Sequence, residues 1–427
     1  MAAHARELNP SAMKVKEVFT GCSSFRHPSA KRLIALANPA RPAHLAGAMT
    51  VDLDYPTLAD LRRRARRRMP YFAWEYLDSG TGEDMALRRS REALDNVVLA
   101  PAIAKGRTVP DLSTRFLGHD YARPFGVSPV GMTGLFWPRA EFLLADNATR
   151  VGLPFGLSTV AAQSPEDLAP HIADNGWFQL YPPADVEHCD DLVQRAQDAG
   201  FHTLILTVDV PGPSRRERQR RSGLTTPPRI TPRLFSHAMI RPMWSLGMLR
   251  HGIPSVRALE KYVSSHRPSA HVGLAPHSAP DPALIEKLRR QWKGPMVAKG
   301  VLLPEDALAL RELGVDAAWV SNHGGRQFDG GPGSATALPA IRAAVGPDYP
   351  LIYDGAVASG LDVLRAIALG ADMVMLGRAW LWGVAALGAE GAAHVTHVLS
   401  EDIISCMVQM GITRPAEVRS RLWPLQA

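Results

Sequence analysis

The chain predicts a closed (β/α)8 barrel of the TIM type, with N-terminal helices before it and a long loop after its fourth strand. Three observations carry that expectation. Short apolar runs recur eight times from residue 125 onward. Helix-like segments lie between them, the alternation that builds a parallel sheet. No GxGxxG follows the first run, which removes the usual signal of an open doubly wound sheet. The runs are FGVSPV (125–130), PFGLST (154–159), WFQLYP (177–182), TLILTVD (203–209), PMVAKGV (295–301), AAWVSN (317–322), PLIYDG (350–355) and MVMLGR (373–378). Eight such units are the number that closes a barrel. A length of 427 residues, 46% of them hydrophobic, is ample for its core.

Residues 1–48 are rich in Ala, Pro, His and Arg and show no sustained periodicity. Pro39 and Pro42 break the one apolar stretch, so a secretory signal is a poor match. Met49 begins a segment that reads as an ordinary protein start. The expected organisation is therefore an extension over 1–48, disordered or untranslated, and one barrel domain over 49–427. Thr57-Leu-Ala-Asp60 reads as a capping box opening a helix that continues through Arg62 to Met69. Pro70 permits a break, and Tyr71 to Leu77 forms a second short helix ending at Ser79-Gly80. Between the later strands, 191–199, 304–313 and 360–369 read as helices.

The connection from Asp209 to Pro295 exceeds eighty residues, and loops of that length are usually functional or mobile. Its segment LFSHAMIRPMWSLGMLRHGI (234–253) mixes large apolar residues with Arg and His. It reads as a lid packed over the barrel or as a membrane-surface contact, and composition favours the lid.

The net charge is +7, mostly from arginine. Arginine clusters at 62–64, 66–68 and 215–221 raise nucleic-acid binding as a reading. No helix-turn-helix, zinc or aromatic RNA-binding pattern accompanies them, so no nucleic-acid partner is expected. The first two clusters suit a solvated helix face, and a basic interior suits anionic ligands. Cys22, Cys189 and Cys406 make neither a metal spacing nor a disulfide framework, as in a reducing compartment. No apolar stretch reaches the ~18 residues of a membrane span.

Barrel enzymes place functional residues at the C-terminal ends of their strands. Here those ends carry Ser158, Gln179, Tyr181, Thr207, Asp209, Lys299, Ser321, Asn322, His323, Arg326, Asp354 and Arg378. Any one could be a satisfied polar cap, but so many at one rim are not accidental, because a buried charge is costly unless paired. A histidine base needs its second nitrogen oriented by a carboxylate, and Asp209 is available to His323. Arg216 and Arg326 are candidates to clamp a carboxylate. Lys299 would place positive charge near an electron-rich ring. Gly377-Arg378 fits the phosphate site that barrels build after strands seven and eight. His188 and His202 have no partner in sequence and read as structural or surface residues. Tyr76, taken alone, reads equally as a core tyrosine.

The stretch SNHGGRQFD (321–329) closely resembles the active-site signature of the FMN-dependent L-2-hydroxy-acid dehydrogenase and oxidase family, which includes L-lactate dehydrogenase, mandelate dehydrogenase and glycolate oxidase. EYLDSG (75–80), FQLY (178–181), LTVD (206–209), RRER (215–218), AKG (298–300) and GADMVMLGR (370–378) accompany it in the family's order, from about Asp52 to the C-terminus. The resemblance implies FMN as cofactor and oxidation of a small 2-hydroxy acid to the 2-oxo acid. Backbone at Pro129, Val130 and Gly131 would approach the flavin ring. Ser158, Gln179, Thr207 and Lys299 would bond the ring and ribityl groups, with Ser321 nearby. Asp354, Gly355, Gly377 and Arg378 would hold the ribityl and phosphate end. Tyr76, Arg216 and Arg326 would bind the substrate, and Tyr181 would meet its hydroxyl. His323, backed by Asp209, would take a proton from the α-carbon or the hydroxyl.

The chain departs from the family pattern at several positions. The loop DGAVASG (354–360) has Ala358 where the family usually places a phosphate-binding arginine, so one contact worth ~1.5–3 kcal/mol is missing unless another arginine substitutes. Thr81 stands where the family often has Ala, and Ser90 where it often has Asn. Neither touches the expected chemistry directly. Gly131 stands where oxygen-using oxidases more often have Ala, and Val160 is small where glycolate oxidases carry an aromatic. Segment 241–252 resembles the bacterial dehydrogenases. These features favour a dehydrogenase passing electrons to a quinone or other carrier, over an oxygen-using oxidase. A homo-oligomer, a tetramer by resemblance, is expected, with a cytoplasmic location or one peripheral at the inner face of the membrane. Other FMN barrels, of the isopentenyl-diphosphate isomerase or nucleotide dehydrogenase type, lack the NHGxRQ run. A degenerate FMN-free scaffold is the alternative of another class. Ala358 alone points to it, against the intact His323, Arg326, Asp209, Arg216 and Lys299.

Overall fold

A computed structural model describes residues 51–224, 231–262 and 280–423. The chain divides after Thr50, and everything below concerns the second unit. The expected start at Met49, the extension 1–48 and Cys22 lie outside the described residues, as do 225–230 and 263–279 of the long connection.

All eight apolar runs are strands of one closed parallel barrel. In chain order they are β3 (Phe125–Val127), β4 (Phe155–Ser158), β5 (Gly176–Leu180), β6 (Thr203–Thr207), β7 (Met296–Val301), β8 (Ala317–Val320), β9 (Leu351–Tyr353) and β10 (Met373–Leu376). Each pairs with its sequence neighbour, and β10 closes the ring by pairing with β3 at Leu376↔Val127.

The period of two along a strand divides the barrel's interior into layers. Trp177, Ile205, Val297, Trp319 and Ile352 belong to one buried apolar cluster. Two residues further along the same five strands stand Gln179, Thr207, Lys299, Ser321 and Asp354. The same face of each strand thus carries an apolar floor and, one step toward the C-terminal end, a polar layer. The floor is closed from below by a hairpin that the sequence reading missed, β1 (Thr114–Phe116) and β2 (His119–Tyr121). Its Phe116 and Tyr121 join the floor cluster, and Trp177 Nε1 donates to Tyr121 Oη at 3.0 Å.

The helix Leu58–Arg68 begins at the expected capping box, with Asp60 N donating to Thr57 Oγ1 and Thr57 N to Asp60 Oδ2. It buries Leu58, Leu61 and Ala65 and packs against the helix Arg378–Leu387 that follows β10. Its arginine face is largely solvated, as expected, while the Arg62 and Arg68 guanidinium groups lie over Trp382 and Trp137. The next helix, Tyr71–Asp78, stops at Ser79, and a third, Met85–Asp95, lies beside the loop after β8.

Within the long connection, the helices Pro232–Met239 and Pro242–His251 form a roof. Leu234, Trp244 and Met248 face inward. Trp244 Nε1 donates to Leu135 O at 2.9 Å, and its ring meets Phe72 edge-on. Phe235, Met239, Ile240, Met243, Leu246, Leu249 and Ile253 are each 60–84% exposed; Phe235, Met239, Leu249 and Ile253 stand at the mouth of the cavity, and Ile240, Met243 and Leu246 form the outer face. Among the described residues no helix is long and apolar enough to cross a membrane.

Candidate active site

The polar layer floors a cavity of about 1940 Å3 at the C-terminal end of the barrel. Ser158 Oγ donates to Gln179 Oε1 at 2.6 Å, and Gln179 Nε2 donates to Thr207 Oγ1 at 3.0 Å. On the neighbouring strand, Lys299 Nζ donates to Ser321 Oγ and to Asp354 Oδ2, both at 2.8 Å, and Ser321 Oγ donates to Asp354 Oδ1. Lys299 is only 6% exposed, so its charge belongs to the interior rather than to the surface. An ammonium has three hydrogens, so one remains for a further acceptor.

His323 stands above this layer on a left-handed turn, with φ 58°. The turn is over-determined. His323 N donates to Ser321 Oγ at 3.1 Å, and Asn322 Nδ2 donates to Ser90 Oγ at 2.8 Å and to Pro332 O at 3.1 Å. Thr81 N donates to Gly325 O at 2.9 Å. The imidazole lies between two partners. Nδ1 donates to Asp209 Oδ1 at 3.0 Å, and Nε2 is 3.2 Å from Tyr181 Oη. Burial holds the imidazole below its ordinary value, against the pull of Asp209 in the other direction. Burial also raises the Asp209 carboxyl, but His323 and Lys299 outweigh it and leave Asp209 below the usual carboxylate range. Neutral imidazole beside a carboxylate is the resting state of a base.

Asp209 reaches this position because residue 300 has no side chain. A Cβ on Gly300 would sit 2.4 Å from Asp209 Cγ, and its φ of 112° is one that L side chains rarely adopt. The strand register also shifts between Lys299 and Val301.

Arg326 and Arg216 line the same cavity. The Arg326 guanidinium lies 5.0 Å from the Tyr76 ring, and Tyr76 stacks on Phe136 at 5.5 Å. Burial, then Arg216, push Arg326 down to about 9. Arg216 donates through Nε to Ser214 Oγ at 3.1 Å and through Nη2 to Gln327 Oε1 at 3.3 Å. Neither has a carboxylate within salt-bridge distance among the described residues. Two cations held without a counter-ion favour an anionic ligand.

Pro129, Val130, Gly131, Gly355, Gly377 and Arg378 also line the cavity. Arg378 is fixed by carbonyls: Nε donates to Leu77 O, and Nη2 to Ser79 O and Gly324 O, each at 3.0 Å. Its Nη1 hydrogens make none of these bonds. Ala358 lies in the wall where the sequence lacks an arginine, and Arg91 is the cation beside it. Arg91 is committed elsewhere, bidentate to Asp362 at 2.7 and 2.8 Å and bonded to Ala356 O. Ser158 and Ser321 are buried beneath the cavity wall rather than in it. They act on the layer through Gln179, Lys299 and Asp354.

Sequence reasoning undervalued Thr81 and Ser90, which hold the His323 turn. Thr81 Oγ1 also accepts from Arg216 N at 3.2 Å. It gave Gln327 no role, although Gln327 positions Arg216. His188 packs against Tyr262, and His202 stacks on His119 at the hairpin. Neither lines the cavity.

A donor-rich floor, glycines in the wall, an arginine at the eighth strand and two uncompensated cations fit a flavin mononucleotide with an anionic substrate above it. Fold and site together define an α/β-barrel oxidoreductase. A family model described as FMN-dependent dehydrogenase matches residues 65–424. The chain belongs to that family. It is 38% identical over 381 residues to an L-lactate dehydrogenase of Xanthobacter autotrophicus, covering 86% of this chain and 97% of that one. It is 37% identical over 372 residues to one of Alcaligenes faecalis, covering 85% and 97%. The solved structure of a monotopic membrane protein, (S)-mandelate dehydrogenase, superposes with TM-score 0.81 at 30% identity, covering 86% of this chain and 98% of that one. A lactate oxidase of Pediococcus acidilactici gives 0.76 at 27% identity, covering 88% and 96%.

Proposed function

We propose that this FMN-dependent dehydrogenase oxidises an L-2-hydroxy acid to the 2-oxo acid with His323 as base and passes the electrons to a quinone or other carrier. The observation that carries the reading is His323 bonded to Asp209 on one side and adjoining Tyr181 on the other, in a cavity shared with Arg326 and Arg216. Pro129, Val130, Gly131, Gln179, Thr207 and Lys299 would cradle the flavin, supported by Ser158 and Ser321. Asp354, Gly355, Gly377 and Arg378 would hold its ribityl and phosphate end. Bound there, FMN supplies the acceptor for two electrons.

The residues of this chain do the rest. Arg326 and Arg216 take the substrate carboxylate, and Tyr76 adjoins it. Asp209 accepts the Nδ1 hydrogen, which fixes the tautomer that leaves the Nε2 lone pair facing the cavity. His323 Nε2 takes the proton leaving the hydroxy acid, and Asp209 stabilises the resulting imidazolium. The Tyr181 hydroxyl, kept protonated by burial, donates to the substrate oxygen.

The acid's side chain would lie toward Val160, Met132, Leu135 and Phe136, which line the cavity below the roof. That wall suits acids larger than glycolate, in the range from lactate to mandelate. The exposed outer face of the roof suits peripheral contact with the cytoplasmic face of a membrane, where a lipophilic quinone is held. A tetramer is the expected assembly, checked by light scattering. Anaerobic addition of L-lactate, L-mandelate and glycolate in turn tests the reading. Flavin bands that bleach with one L-acid and recover with a soluble quinone support it. Recovery by oxygen at the same rate overturns the dehydrogenase assignment. A colourless protein inert after FMN is supplied favours the degenerate scaffold.

A further inference from the structure

Glu141 lies in the first turn of the helix Ala140–Val151 and is 2% exposed, with no counter-ion among the described residues. Its Oε1 accepts from Ala162 N at 2.8 Å and from Gly134 N at 3.3 Å. These amides belong to different loops, one after β4 and one after β3. The same loops meet again at the cavity wall. There Met132 N donates to Val160 O at 2.8 Å, and a Cβ on Gly131 would sit 2.7 Å from Val160 Cγ2. Behind that wall a void of about 10 Å3 is lined by Ser128, Val130, Thr133, Glu141, Ser158 and Gly377. Glu141 Oε2 and Thr133 Oγ1 are buried without a hydrogen-bond partner among the described residues.

We infer that Glu141 is a positioning residue: its carboxyl clamps the loop after β3 to the loop after β4 and so fixes the Val130–Gly131 backbone against Val160, on the wall where the flavin ring rests. The inference depends on the proposed placement of the flavin on that backbone. Burial pushes the carboxyl above the ordinary range, against the hydrogen bonds that lower it. An amide would serve equally, because its oxygen accepts both backbone hydrogens.

The test compares FMN dissociation constants, read by flavin fluorescence, and the position of the visible flavin band in three variants. Glu141→Leu weakens FMN binding by about tenfold, the loss expected when two buried amides lose their acceptor, and moves the band. Glu141→Gln restores both. If the leucine variant does not fold, Glu141→Asp, too short to reach both amides, carries the test in the same direction. Leucine or aspartate variants within twofold of the parent on both readouts overturn the clamp. A glutamine variant as damaged as leucine shows that charge is needed, and also overturns it. Gly131→Ala serves as control. If it moves the band while Glu141→Leu does not, the clamp alone fails. If neither moves it, the flavin does not rest on this wall, and both readings fall.

Discussion

His323 enters the cavity in a left-handed conformation that costs roughly 1–3 kcal/mol and persists only where the surroundings enforce it. Ser321, Asn322, Ser90 and Thr81 do so. The imidazole is therefore placed by its backbone as much as by Asp209. Substituting His323→Gln should leave FMN bound and slow flavin reduction by at least ~10²-fold, measured anaerobically by stopped flow. Reduction near the parent rate would remove His323 from the chemistry. Because burial lowers the His323 value below 6.5, the neutral form persists as pH falls through 6.5. The reduction rate should stay level there and decline only at lower pH. Folding stability follows the same sign, since the unfolded chain binds the proton first and native stability drops as pH falls below 6.5. Arg326→Met should raise KM by about tenfold or more while leaving the FMN spectrum unchanged. At this scale His323 and Asp209 were legible because each is a costly residue at or just past the end of an apolar run, and Arg216 and Arg326 because they stand in the motifs RRER (215–218) and SNHGGRQFD (321–329). Thr81 and Ser90 were not. Their partners lie more than two hundred residues away for Thr81–Gly325 and Ser90–Asn322, and their side chains carry no chemistry of their own.

The strands read directly from the sequence because each is a short apolar run bounded by turn residues. The polar layer was legible residue by residue, but its hydrogen-bond connections needed the register. Gly300 shows the link between element and site. Replacing it by Ala drives a methyl into Asp209 and should lower flavin reduction while the barrel still folds, checked by circular dichroism alongside kinetics. Ala358→Arg tests the wall of the loop after β9. A guanidinium there should tighten FMN binding by ~1.5–3 kcal/mol, roughly ten- to a hundredfold by fluorescence titration. No change would mean that the phosphate end is already satisfied by Arg378 and backbone. The hairpin β1–β2 was not anticipated, because its strands are only three residues each and partly polar. Its role appears only once Trp177 has been placed above it. The roof helices were read as a lid without their boundaries, since Pro242 and the short spans hide helical periodicity.

Among the described residues, exposed apolar side chains are concentrated on the roof. Seven large apolar side chains on the roof meet solvent, and exposed patches of this kind mark interaction surfaces. Paired Asp substitutions at Met243 and Leu246, exposed and outside the cavity lining, should shift the protein from a membrane pellet to the supernatant while hydroxy-acid oxidation with a soluble dye persists. An unchanged distribution would remove the membrane from the proposal. The barrel as a whole was legible from eight repeats, whereas this asymmetry required knowing which side of each roof helix faces Phe72 and Leu135.

Trp319 lies in the apolar floor with Lys299 Nζ 5.0 Å above its ring. With FMN bound as proposed, an indole so placed would be a lamp under the cofactor. Excited in the ultraviolet, it would surrender its energy to a yellow ring overhead instead of emitting. Tryptophan emission should therefore brighten as FMN is stripped and dim as it returns. Trp319→Phe should diminish that difference, giving an optical gauge of occupancy that needs no substrate.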